Sequence, residues 1–96
     1  MSQSPAPPAI LGTAVDLRTA VAEYLDAIKH RGLSSNTIAA YGIDLTRAVA
    51  FFESVDVAFV PLISERAIDQ WITAMGRDGL SARTRARRLA GLRSFL

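Results

Sequence analysis

The order Gly-Leu-Ser occurs twice in the chain, at residues 32–34 and 79–81, and it constrains the fold more than any other local pattern. A glycine just past a helix end permits the left-handed cap, and the leucine after it supplies the accompanying hydrophobic contact. Serine is a favoured N-cap, so a new helix is expected to begin directly afterwards. Each triplet therefore predicts two helices joined by a tight connection.

Helical periodicity on both sides of these triplets predicts four helices in all. Their expected spans are about 16–31, 34–54, 64–78 and 81–96. The residues expected to face a shared core are Leu25, Ile28, Ile38, Tyr41, Leu45, Phe52, Ile68, Trp71, Leu89 and Leu92. The sequence thus predicts an all-α fold, a small four-helix bundle.

Two segments fall outside the predicted helices. Residues 1–13 contain three of the four prolines and are expected to be an extended, disordered leader ahead of a folded domain over residues 14–96. Residues 55–63 contain Pro61 and show no helical period, so they are expected to be a connector. Their β-branched residues favour a strand, but no second candidate strand exists to pair with one.

Composition limits the classes of protein that the chain can belong to. Its 96 residues suffice for one modest core, and half of them are apolar, as in globular domains. Without cysteine there is no disulfide framework, thiol nucleophile or zinc knuckle. No apolar run approaches the ~20 residues that span a bilayer. These features predict a cytoplasmic protein without a membrane partner.

No pattern of residues predicts catalysis, a metal site or a cofactor site. The nine acidic residues are scattered, and for most of them solvation is the ordinary explanation. His30 has no base, nucleophile or second ligand near it in sequence, so we interpret it as a cation at a helix end. Tyr24 and Tyr41 fall on apolar stripes, as core residues do. Neither a cofactor nor a small-molecule substrate is expected.

The last predicted helix has a strongly basic face. Residues 81–96 contain five arginines and no acid, whereas residues 1–80 contain six basic and nine acidic residues. On a helical wheel one side is the apolar stripe Ala86, Leu89, Leu92 and Leu96. The opposite side carries Arg83, Arg87, Ala90, Gly91 and Ser94. Arg85 lies over the apolar stripe, so its guanidinium is expected to extend sideways to solvent.

Such a face is typical of a surface that binds an anion. The clustered arginines repel one another and have no acidic neighbour in their own helix, so a partner anion would stabilise them. Arginine at every basic position favours bidentate contacts with phosphate or with guanine edges. Nucleic acid is the favoured partner, with an acidic protein or a simply solvated face as the alternatives.

Two segments of the chain, within residues 17–96, together resemble the N-terminal core-binding domain of tyrosine recombinases of the phage-integrase and Xer types. The second-helix pattern of that family appears as Ser35-Asn36-Thr37 with Tyr41 and Asp44-Leu45. The fourth-helix pattern appears as Leu80-Ser81, Thr84, Arg87, Leu89 and Leu92-Arg93-Ser94-Phe95. Two departures are Ala90-Gly91 in place of the commoner Ser-Ala, and Gly42 in place of a frequent basic residue.

The resemblance implies a SAM-like orthogonal four-helix bundle that clasps duplex DNA, with its second and fourth helices toward the major groove. The family cuts and rejoins DNA through a tyrosine-phosphate intermediate without a metal or nucleotide cofactor, using residues of a C-terminal catalytic domain. That domain is absent from this sequence, so the chain is expected to be a non-enzymatic fragment. Other recombinase subunits on DNA are the expected protein partners.

The combined evidence gives a list of candidate DNA-binding residues. The main candidates are Asn36, Thr37, Arg83, Thr84, Arg87 and Ser94, and the weaker ones are Lys29, Arg31, Tyr41 and Arg88. Asn36 and Thr37 have an equally simple explanation as first-turn capping residues. Lys29 and Arg31 also have a simpler explanation, as positive charges that complement the dipole at a helix end. The competing function is a helical protein-interaction module with a basic face.

Overall fold

The computed structural model describes residues 15–96, which form four α-helices and one short 3₁₀ helix. The α-helices are α1 (Leu17–His30), α2 (Ser35–Ser54), α3 (Glu65–Arg77) and α4 (Ala82–Phe95), and the 3₁₀ helix is Val60–Leu62. The all-α four-helix prediction is confirmed. The expected leader over residues 1–13 lies outside the described residues.

Each α-helix begins at a side chain that caps it. Asp16, Ser34, Ser64 and Ser81 each accept a hydrogen bond from a backbone N–H three residues later. These bonds satisfy amides that have no carbonyl partner within the helix. The helix starts are therefore fixed by local chemistry, as the sequence predicted.

Both Gly-Leu-Ser triplets form the expected helix ends. Gly32 and Gly79 have φ angles of 86° and 78°, in the left-handed region where glycine carries no steric cost. The N–H of Leu33 donates to the carbonyl of Ile28, and the N–H of Leu80 donates to that of Met75. This six-to-one hydrogen bond defines the Schellman motif, which turns the chain sharply into the next helix.

The predicted connector joins α2 to α3 without forming a strand. Its contact with the start of α1 is an isolated antiparallel bridge between Asp16 and Phe59, with the N–H of Leu17 donating to the carbonyl of Ala58. No strand occurs in residues 15–96. None of the helices described is long and apolar enough to cross a membrane.

The helices enclose one hydrophobic core, and α2 packs against each of the other three. The rings of Phe52 and Trp71 lie 5.8 Å apart at the centre of this core. Six predicted core residues are buried: Ile28, Leu45, Phe52, Ile68, Trp71 and Leu92. Leu25 and Leu89 are half-buried and pack against the core.

Two of the predicted core positions, Ile38 and Tyr41, are wrong. Both residues are only half-buried and lie outside the core cluster. The buried residues of α2 run from Asp44 to Phe52, so its first two turns extend beyond the core. Ile43, in the same part of α2, is 57% exposed.

The predicted orientation of α4 also needs correction. Ala86 and Leu96, which were assigned to the apolar stripe, are exposed, whereas Gly91, which was assigned to the outer face, is buried. The helix is rotated so that Arg88 and Gly91 turn inward. The physical reason is a buried carboxylate on α2, Asp44, which is described below.

We predict that Trp71→Ala lowers the free energy of unfolding by ~3–5 kcal/mol, because the indole is 3% exposed and its loss leaves a cavity beside Phe52. Denaturant or thermal unfolding of the purified chain measures this loss. The control is Ile43→Ala, which removes a largely exposed side chain and should change stability by less than ~0.5 kcal/mol. Equal melting temperatures for Trp71→Ala and the wild-type chain would contradict the placement of Trp71.

Candidate nucleic-acid interface

A groove of about 290 Å³ lies between α2 and α4, and we define it as the α2–α4 groove. Its lining residues are Thr37, Ala40, Tyr41, Asp44, Arg87, Ala90 and Gly91. Three of them, Thr37, Tyr41 and Arg87, are predicted DNA-binding residues. The structure therefore brings together candidates that are about 50 residues apart in sequence.

Small residues leave this groove unfilled and allow α2 and α4 to lie near each other. A Cβ atom built on Gly91 would lie 3.7 Å from Cδ1 of Tyr41, in ordinary van der Waals contact with the ring. The ring of Tyr41 therefore lies over Gly91 of α4, with room for a methyl group between them. Ala40 and Ala90 line the groove without filling it. The outer surface of the groove is thus accessible to a bulky ligand.

Asp44 is the residue of the groove that the sequence reasoning missed. It is 6% exposed, although the acidic residues were interpreted mainly as solvated. The position of Asp44 in the sequence indicates its burial, because it follows Tyr41 by three residues and precedes Ala48 by four. That spacing places its side chain on the inward face of α2.

Two arginines of α4 neutralise this buried carboxylate. Arg87 donates from Nε to Oδ2 at 3.1 Å and from Nη2 to Oδ1 at 3.0 Å, a bidentate contact. Nε of Arg88 lies 3.7 Å from Oδ1 of Asp44. The side chain of Arg87 remains 62% exposed, whereas that of Arg88 is 12% exposed. Asp44 therefore fixes the orientation of Arg87 at the surface and holds Arg88 inside.

These contacts revise the expectation that the arginines of α4 lack anionic neighbours. No acid lies within α4, but Asp44 comes from α2, and Glu65 of α3 forms a two-point contact with Arg93 at 3.3 Å. Among residues 15–96, Arg83 is exposed and has no carboxylate within 4.0 Å. On the outer face of α4, Arg83 thus has no carboxylate partner among these residues, and Arg87 is held in one orientation by Asp44.

Arg85 points away from this face, but its guanidinium packs toward α3 and does not extend to solvent as expected. It is half-buried against α3, and its Nη1 lies 3.2 Å from the position of a Cβ on Gly76. Its Nε is buried and has no hydrogen-bond partner within the described part of the chain. Arg85 therefore belongs to the packing of α3 on α4.

The starts of α2 and α4 have the same hydroxyl arrangement. Ser34 donates its hydroxyl proton to Thr37 Oγ1 at 2.8 Å, and Ser81 donates its own to Thr84 Oγ1 at 3.0 Å. Each serine oxygen also accepts the N–H of the same threonine. Because a hydroxyl has one proton to donate, Thr37 and Thr84 each keep theirs for a further acceptor.

The remaining candidates lie around the groove or away from it. Asn36 is exposed in the first turn of α2, beside Thr37. Ser94 Oγ is hydrogen-bonded to the hydroxyl of Tyr24 at 2.7 Å, so it faces α1. Lys29 lines a different shallow pocket with Leu33 and Ile38, and Arg31 is the exposed C-cap of α1.

The shifted pKa values belong to a separate surface at the other end of α2. The backbone N–H of Thr19, followed by its hydroxyl, lowers the pKa of Asp16. The carboxylate of Glu53 hydrogen-bonds to Arg18 and raises the pKa of that guanidinium. These groups fix the start of α1 and its contact with the end of α2, so they are not part of the α2–α4 groove. Residues 15–96 contain no cluster of metal-binding side chains.

Comparison with known proteins places the chain beside one family. The family described as phage integrase, N-terminal SAM-like domain, matches residues 21–96. Tyrosine recombinase XerD of Staphylococcus saprophyticus is 37% identical over 78 residues, which cover 80% of the chain and 26% of that protein. Tyrosine recombinase XerC of Methylobacterium nodulans is 36% identical over 94 residues, covering 93% of the chain and 29% of that protein. No solved structure matches the chain significantly. The chain thus spans less than a third of the length of these relatives.

We predict that Asp44→Ala lowers the free energy of unfolding by about 2–4 kcal/mol, because it leaves the mostly buried Arg88 without a counter-charge. Asp44→Asn keeps the side-chain volume and should also destabilise the chain, which isolates the effect of charge. Asp69→Ala removes an exposed carboxylate from α3 and is the control. Chemical denaturation measures the free energy of unfolding of each variant. An Asp44→Ala protein as stable as Asp69→Ala would show that the pairing of Asp44 with the arginines of α4 contributes nothing to stability.

Proposed function

The chain belongs to the family of phage integrase N-terminal SAM-like domains, and we propose that it is the part of a site-specific tyrosine recombinase that binds duplex DNA. The observation that carries this proposal is the bidentate hold of Asp44 on Arg87 at the α2–α4 groove. It keeps a mostly exposed guanidinium in one orientation before any ligand arrives. Such preorganisation reduces the entropy that binding must overcome.

Two features of α2 and α4 match the chemistry of the DNA backbone. Thr37 and Thr84 lie in the first turns of α2 and α4, where backbone amides and the helix dipole favour an anion such as a phosphate. Arg83 is exposed next to Thr84, with no carboxylate partner in the described residues. We assign these three residues to phosphate contacts, which position the domain on the duplex.

Arg87 has the best position for a contact deeper in the major groove of DNA. It projects between two helices whose neighbouring residues, Ala90 and Gly91, are small. An arginine can bind the O6 and N7 atoms of guanine in a bidentate manner, which gives sequence selectivity. In this proposal α2 and α4 face the major groove, and Asp44 acts on DNA recognition only by positioning Arg87.

The proposal assigns no DNA cleavage to the chain itself. The hydroxyl of Tyr24 is bonded to Ser94, and its ring packs edge-on against Phe95 at 5.5 Å. The ring of Tyr41 packs over Gly91. Within residues 15–96, neither tyrosine hydroxyl is hydrogen-bonded to a carboxylate or to a histidine. We propose that cutting and rejoining belong to another part of the recombinase, with other recombinase subunits as partners on the DNA.

We predict that the purified chain binds duplex DNA with a dissociation constant of ~10⁻⁴–10⁻⁶ M at physiological salt, without nicking or joining it. Its affinity should fall steeply with salt, with a log–log slope of about −0.9 for each of ~4–6 phosphates. Arg87→Ala should weaken binding by ~1–3 kcal/mol, chiefly at one base-pair position, and Arg83→Ala should reduce the slope by about one unit for all sequences. Arg85→Ala should matter less than either.

The measurement is a fluorescence-anisotropy titration at several salt concentrations, with thermal melts to confirm that each variant is folded. Arg66→Ala is the matched control, because it removes the same charge from an exposed position on α3. If Arg66→Ala or Arg85→Ala weakened DNA binding as much as Arg87→Ala does, the DNA would bind to a different surface of the chain. DNA binding that does not depend on salt would contradict the proposal and favour a protein-interaction module. Covalent protein–DNA adducts would also contradict it and would indicate a catalytic role.

A further inference from the structure

A second pocket, of about 160 Å³, lies where α2, α3 and α4 meet, and we define it as the three-helix pocket. Its lining residues are Arg47, Phe51, Trp71, Ala74, Met75, Asp78 and Arg88. Four of these residues are aromatic or aliphatic, and the other three supply two guanidiniums and one carboxylate, which make up much of the accessible lining.

The two arginines of this pocket are incompletely paired within residues 15–96. Arg47 is exposed and has no carboxylate within 4.0 Å. The buried Nε of Arg88 has no hydrogen-bond partner, because Asp44 is 3.7 Å away. Asp78 is the one acid that lines the pocket, and it does not form a salt bridge with either arginine. The pocket therefore has spare capacity for an oxyanion.

The three-helix pocket adjoins the α2–α4 groove through a shared carboxylate. Oδ1 of Asp44 contacts Arg87, which lines the groove, and Arg88, which lines the pocket. Arg47 follows Asp44 by three residues, so the two lie on the same side of α2. A chain of phosphates bound along the groove would thus reach Arg47 at the next turn of α2.

We propose that the three-helix pocket is an additional phosphate subsite, in which Arg47 and Arg88 bind one phosphate of the DNA backbone. This inference rests on the proposed function. Arginine suits the role because its planar fork matches the geometry of phosphate oxygens. Asp78 opposes the anion at the edge of the pocket and limits its affinity. The contact adds a position on the DNA beyond those made by Thr37, Thr84 and Arg83.

Arg47 and Asp78 are the informative positions for a test, since both are exposed and can be changed without removing the partner of Asp44. Arg47→Ala should weaken duplex DNA binding several-fold and reduce the log–log salt slope by about 0.9, the loss of one phosphate contact. Arg47→Lys keeps the charge and should retain the slope. Asp78→Asn should strengthen binding several-fold, and Arg66→Ala should leave the slope within error of the wild type.

Trp71 provides an independent readout, because it is the single tryptophan of the chain and lines this pocket. Duplex DNA should change its emission in the wild-type chain and change it less in Arg47→Ala. If Arg83 and Arg87 variants lose affinity while Arg47→Ala and Asp78→Asn behave like Arg66→Ala, the pocket is not a phosphate subsite and the proposed function stands. If the wild-type chain shows no salt-dependent DNA binding, both proposals fail.

Discussion

The buried carboxylate of Asp44 is the constraint on which the rest of the interface depends. An ionised group that is 6% exposed is stable only when paired, and its partners must come from outside α2. Arg87 and Arg88 supply that pairing. Arg88 turns inward while Arg87 stays mostly exposed, and this arrangement fixes the rotation of α4 about its axis, with Gly91 toward Tyr41 and Ala86 toward solvent. One ion cluster therefore determines which surface of α4 is presented to a ligand.

The helix boundaries follow from much more local rules. Ser34, Ser64 and Ser81 cap the helices that they precede, and Gly32 and Gly79 end the helices before them. These signals involve residues within six positions of one another, so they can be predicted from the sequence alone. Ile28 of α1 and Ile68 and Trp71 of α3 are buried as the apolar pattern of each helix predicts, whereas Leu25 of α1 is half-buried.

The errors occurred where contacts between distant residues override the local pattern. Asp44 and Arg87 are separated by 43 positions, and no periodicity within either helix shows that they pair. Without that pair, a helical wheel centres the buried side of α4 on its aliphatic residues and leaves Arg88 outside. Resemblance to a family located Thr37, Tyr41 and Arg87, which the structure gathers in one groove, but it did not reveal that the hydroxyl of Ser94 is bonded to Tyr24.

The central claim is that the α2–α4 groove is the surface that binds DNA, and an amide chemical-shift titration of the ¹⁵N-labelled chain with a short duplex tests it most directly. We expect the largest shifts at Thr37 and Gly91, which line the groove, and at Thr84 in the first turn of α4. We also expect small shifts around the Arg18–Glu53 contact at the other end of α2. Largest shifts around Arg18 and Glu53, with Thr37 and Thr84 unchanged, would contradict the account.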